Sequence, residues 1–160
     1  MGEQVNDCHQ LNILDLTPPM VVIAIDRWNL IAQKGLRFAM SMSPDVIALH
    51  VDYGQESDKL ADQWSDLVEE PARQGGLPVP HLVVLKSPYR FVIRPILAYV
   101  LNLEECNPQR QIAVLIPELI ERKWYLKLLH NHRSAALRAM LLLQGKERIT
   151  VVNVPWYVTD

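Results

Sequence analysis

Apolar positions along this 160-residue chain gather in five short runs, separated by longer stretches with helical spacing. "MVVIAI" (20–25) is continuous rather than alternating, which marks a strand buried on both faces. "NLIAQKGLRFAMSM" (29–42) sets Leu30, Ile31, Leu36, Phe38, Ala39 and Met40 along an amphipathic helix that Gly35 weakens. Pro44 and Asp45 stop it, and "VIALHV" (46–51) is a second buried strand. Residues 55–74 read as an acidic helix, interrupted late by Pro71 and closed by Gly75-Gly76-Leu77-Pro78. "HLVVLK" (81–86) is a third strand. Ser87 as N-cap and Pro88 at the first helical position then open a helix over 88–104, with a kink at Pro95. After the Asn107-Pro108 turn, "QIAVLI" (111–116) is a fourth strand, and helical residues come next, somewhere between 120 and 143. A fifth strand over 149–155 has Pro155 as its stop.

This β-α-β-α-β-α-β-α-β order predicts a doubly wound α/β fold with a five-stranded parallel sheet, because right-handed crossovers place helices on both faces. Residues 1–19 form a lead-in that ends in the stiff Pro18-Pro19 pair, and 20–158 form one domain. Such sheets take ligands beyond the C-terminal ends of their strands, where the strand order reverses. The positions to watch are therefore Asp26-Arg27-Trp28, His50-Val51-Asp52 and the loop beginning Pro117-Glu118.

Composition narrows the classes. A hydrophobic fraction of 49% supports a sizeable core, and a net charge of −2 gives no reason to expect a nucleic-acid partner. Cys8 and Cys106 are too few for a disulfide framework, which favours a reducing, cytoplasmic setting. The apolar runs are far shorter than the roughly 20 residues of a membrane span, and the N-terminus lacks a secretory pattern.

The stretch "LLHNHRSAALRAMLLL" (128–143) carries the most chemistry. His130 and His132 lack an obvious third ligand, so no metal site is expected. Residues 122–138 hold Arg122, Lys123, Lys127, Arg133 and Arg138 and no acidic residue. A basic loop entering a helix suits a phosphate, with Asn131 or Ser134 as cap; the alternative is a solvated basic helix face. Asp26 either accepts hydrogen bonds from a base or ribose, or it or Asn29 caps the next helix. Trp28 either stacks on a base or covers the core edge, the commoner role of a lone aromatic; His50 fits a satisfied buried histidine, and the run Asp58, Asp62, Asp66, Glu69, Glu70 a solvated face. Arg90 and Arg94 share a helix face. The sequence contains no G-x-S-x-G, P-loop or G-x-G-x-x-G, and no catalytic constellation stands out.

The strand order, Asp26 after the first strand and "HVDYGQE" after the second resemble the universal stress protein fold over residues 20–154. More narrowly, "IDRWNLIAQKGLRFAMSMSPDVIALHV", "SPYRFVIRPILAYV", "LLHNHRSAALRAMLLL" and "VVNVPWYV" resemble the cytosolic C-terminal domain of bacterial APC-superfamily permeases, including the potassium-importer branch. The resemblance implies strand order 3-2-1-4-5 and a non-catalytic regulatory domain. It also implies a homodimer, often formed through the last strand, and tethering to the membrane part of a permease at its cytoplasmic face. Stress-protein relatives often bind ATP, and potassium-importer tails respond to cyclic di-AMP. The ligand expectation is thus an adenine nucleotide (cyclic di-AMP, ATP or AMP), held by Asp26, Arg27, the backbone near Val51, Pro117, His130, Asn131, His132, Arg133 and Ser134. The chain departs from the ATP-binding G-x-x-G pattern, because Pro117 stands where the first glycine is expected and His132-Arg133-Ser134 replace the later Gly-Ser pair. Backbone N–H groups need those glycines to approach a triphosphate closely. A module of the same fold that only docks or dimerises is the alternative reading.

Overall fold

The computed structural model describes residues 10–52, 54, 58–87, 93–120 and 147–157. Five parallel strands run through it: β1 (Met20–Ala24), β2 (Val46–Asp52), β3 (His81–Lys86), β4 (Ile112–Ile120) and β5 (Ile149–Tyr157). Their order is β3-β2-β1-β4-β5, as the resemblance implied. The switch point therefore lies between β1 and β4, where connections leave in opposite directions.

The unbroken apolar runs are explained by the two faces they serve. Val21, Ile23 and Ile25 pack with the helix α1 (Leu30–Met42) and with Leu60, Trp64 and Val68. Val22, Leu49, Ile112 and Val114 pack on the opposite face with Ile96, Leu97 and Val100 of α4 (Ile93–Cys106). Burying each such side chain contributes about 1.5–3 kcal/mol, so both layers are needed to hold the sheet.

The acidic helix is not broken at Pro71. It runs as α2 (Asp58–Trp64), a π-helical turn (Ser65–Glu69) and α3 (Glu70–Gln74). In the widened turn the Glu70 N–H donates to Ser65 O, five residues back. Proline lacks an N–H and crowds the carbonyl four residues before it, and a wide turn just upstream accommodates both. Asp62, Asp66 and Glu70 are exposed, and Arg73 bridges Glu69 and Glu70 at 2.9 Å each. Pro95 sits three residues into α4 as described, and first-turn positions need no intrahelical N–H bond. The helix start expected at Ser87-Pro88 and the fourth-crossover helix expected between 120 and 143 lie outside the described residues, apart from Ser87 itself, which is buried.

Two strand ends differ from expectation. Pro117 and Glu118, read as the start of a loop, are in β4, and Pro155, read as a stop, is in β5. β1 pairs with β4 only as far as Ile23↔Leu115, whereas β4 and β5 stay paired to Ile120↔Tyr157. Among the described residues β4 has one neighbour past Leu115, and β5 is an edge strand. A proline whose nitrogen faces the open side then removes no ladder bond. The result is a two-stranded ribbon projecting beyond the switch point.

One ionic clamp joins the last strand to α4. The Arg148 guanidinium donates to the Glu104 carboxylate, to Glu104 O (3.0 Å) and to Asn107 O, gathering the carbonyl end of α4 at the base of β5. Glu104 is 2% exposed, so this charge is held almost wholly inside the protein.

Candidate functional site

The chain leaves β1 at Ile25 and turns into α1 within five residues. Asn29 makes that start: its Oδ1 accepts from the Ala32 N–H at 2.9 Å, from an extended backbone conformation. Of the two capping candidates, Asn29 performs the role, and Asp26 lies ahead of the cap at the rim of the sheet. Asn29→Ala is expected to lower stability by about 1 kcal/mol, read as a shift in the urea midpoint with an unchanged slope.

At this rim a cavity of about 270 Å³ opens between the strand ends and α1, lined by Asp26, Arg27, Asn29, Ile31, Ala32 and Pro117, with Ala24 and Ile25 as floor. Three of the residues singled out from sequence, Asp26, Arg27 and Pro117, thus meet at the switch point. Arg27 Nε lies 3.6 Å from Asp26 Oδ2, with both side chains more than half exposed. A pair so solvated contributes at most about 1 kcal/mol. The positive end of the α1 dipole and the Arg27 guanidinium favour an anion. The Asp26 carboxylate favours hydroxyl or amino donors. The cavity therefore offers complementary sites to a molecule that carries both.

Gly35 shapes the same place. A Cβ at this position would lie 2.9 Å from Ile23 Cδ1 and 3.5 Å from Pro117 Cβ. The residue that weakens α1 by propensity is the one that lets α1 approach the switch point. The sequence displays the glycine but not its reason, because Ile23 and Pro117 reach it only in the folded chain.

Val51 is not brought into the cavity. Its side chain is 5% exposed and packs in the α4-side core, while its backbone is paired with Leu85 of β3. His50, next to it, is buried and only half satisfied. Its Nδ1 lies 2.9 Å from Ile25 O, and since a carbonyl only accepts, Nδ1 carries the proton. The buried Nε2 has no hydrogen-bond partner among the described residues. The bond fixes the carbonyl just before Asp26 and so holds the exit of β1. No sequence signal links two residues 25 apart in this way. Beyond β2, Asp52 Oδ1 accepts from the Gly54 N–H at 2.7 Å, and Gly54 has φ 91°. Trp28 packs edge-to-face on Trp64 (centroids 6.1 Å apart, 81°), which places it at the core edge as expected.

His130, Asn131, His132, Arg133 and Ser134, with the rest of the basic 122–138 stretch, lie outside the described residues, as does Arg90. Among the described residues no three metal-ligating side chains converge, and no helix is long and apolar enough to cross a membrane.

Comparison with known proteins places the chain. It is 28% identical over 156 residues to the potassium transporter KimA of Bacillus subtilis (strain 168), an alignment covering 92% of this chain and 24% of that protein. The chain thus spans about a quarter of the length of the curated relative it matches. A family model for the KimA potassium transporter C-terminal domain matches residues 17–156, nearly all of the strands and helices described above. This protein belongs to the KimA potassium transporter C-terminal domain family.

Proposed function

We propose that this domain is a non-catalytic regulator of a potassium transporter of the APC superfamily, a homodimer of universal-stress-protein-like fold at the cytoplasmic face of the membrane, and that it senses an adenine nucleotide. Residues 20–158 act as the sensing unit and 1–19 as the lead-in. The observation that carries the reading is the cavity at the β1–β4 switch point, where Asp26, Arg27, Pro117 and the first turn of α1 converge. Asp26 would take the ribose hydroxyls or exocyclic amine. Arg27 and the helix amides would take part of the phosphate charge, with Asn131, Arg133 and Ser134 completing the phosphate contacts and His130 and His132 assisting. Regulation works by differential binding: the ligand stabilises one arrangement of the dimer over another.

Calorimetric titration with ATP, AMP and cyclic di-AMP tests this. At least one is expected to release or absorb heat and to raise the melting temperature, and Asp26→Ala is expected to weaken that ligand about tenfold, the loss of one charge-assisted hydrogen bond. Flat titrations with all three nucleotides, together with unchanged melting, would sink the ligand reading. An interaction module that no longer binds nucleotide is the second reading. It is favoured by the described cavity being small, about 270 Å³, against the usual ~300–1,000 Å³ of ligand pockets, and by Pro117 at the position of a phosphate-loop glycine. On that reading Arg133→Ala changes self-association rather than any nucleotide titration.

A further inference from the structure

Away from the switch point, a second concavity of about 610 Å³ lies between α1 and the α2–α3 helix, open to solvent. Leu36, Met40, Leu67 and Leu77 make its apolar wall, Trp28 closes its upper end, and the exposed Arg37 stands at its edge. Leu77 remains 56% exposed there. The same chain carries an apolar segment that no described residue covers: Leu11, Ile13, Leu14 and Leu16 are 86%, 68%, 77% and 82% exposed. An uncovered run of this kind is uncommon on a finished surface and marks a contact surface. The segment is already shaped. The Leu14 N–H donates to Asn12 Oδ1 (3.0 Å), and Asp15 adopts φ 59°, a conformation that aspartate tolerates better than most residues. A turn formed in advance lowers the ordering cost of docking.

Charge selects the match. Asp15 sits among the leucines of the segment and Arg37 at the edge of the groove, and neither has a partner among the described residues. The root of the segment is tied down, since Arg110 Nη2 donates to Pro18 O (3.1 Å) and to Asp45 Oδ2 (2.7 Å). Pro18 and Pro19 stiffen the link into β1. Held there, the leucines remain exposed, and none of them lines the groove of their own chain. We propose that the lead-in segment Leu11–Leu16 of one copy docks in the α1–α3 groove of a second copy, with Asp15 of one meeting Arg37 of the other. Reciprocal exchange fills both grooves in a closed two-fold dimer. The inference rests on the homodimer reading above and assigns it a surface other than the last strand.

Sedimentation equilibrium of the full chain and of charge variants tests it. Asp15→Arg and Arg37→Asp are each expected to weaken the dimer on the order of tenfold, because like charges then face each other. The double variant Asp15→Arg/Arg37→Asp is expected to recover most of that loss, which also excludes misfolding as the cause. Leu14→Asp is expected to weaken the dimer with no rescue. A dimer indifferent to all these substitutions overturns the docking but leaves self-association standing; a monomer at every concentration overturns both. Concentration-independent protection of residues 11–16 from proteolysis places the segment in its own groove and overturns the exchange. Nucleotide titrations report separately on the switch-point cavity.

Discussion

Arg148→Ala is expected to lower the stability of this domain by about 3 kcal/mol, the low end of the loss seen when one partner of a buried ion pair is removed. Glu104 stays where it is, 2% exposed, and loses the guanidinium that faces its carboxylate. The same substitution strips donors from Glu104 O and Asn107 O at the end of α4. For a chain of this length the melting temperature should fall by roughly 6–12 °C. Removing both partners separates the causes: Glu104→Leu with Arg148→Met leaves no buried charge and should lose less than Arg148→Ala alone. Equal losses in the single and double variants would show that the carbonyl contacts, not the ion pair, carry the effect. Because Arg148 stands at the entrance to β5 and α4 covers the opposite face of the sheet, the clamp couples the edge strand to the core.

Gly35→Leu is expected to be nearly as damaging, at about 2–3 kcal/mol, and for the opposite physical reason. A Cβ already meets Ile23 Cδ1 at 2.9 Å, and Ile23 is fully buried. Further carbons must push α1 away from β1 and Pro117, opening the switch point. Gly35→Ala is the informative control. It adds the strain of one methyl but gains about 1 kcal/mol of helix propensity, so its net effect should be near zero. Denaturant unfolding of both variants checks this, and an alanine variant as unstable as the leucine variant would mean that Ile23 has no room to adjust.

The strands were the most legible part of the chain. β3 matches its expected bounds, and β1 and β2 differ by one residue, because fully buried parallel strands write an uninterrupted apolar run. α1 was legible from its spacing and its cap candidate Asn29. The failures came from prolines. Pro71, Pro117 and Pro155 each look like breaks in the sequence, and each is absorbed by a feature outside its own neighbourhood: a π-helical turn, the end of β1, and an open sheet edge. Of the candidate site, Asp26, Arg27 and Pro117 were legible because the switch-point rule depends only on strand order. Strand alternation turns the Val51 side chain into the α4-side core, so only its backbone stands toward the strand end.

By itself, then, the sequence determined the five strands and the all-parallel sheet, since these follow from local periodicity and the handedness of crossovers; the strand order, and with it the place where it reverses, came from the family resemblance. Tertiary structure alone decided which residues share that place. It set Gly35 under Pro117, gave Ile25 O to His50, buried Glu104 beneath Arg148, and left a groove beside Arg37. Each of these joins residues from different elements, and no local pattern along a chain encodes the distance between them.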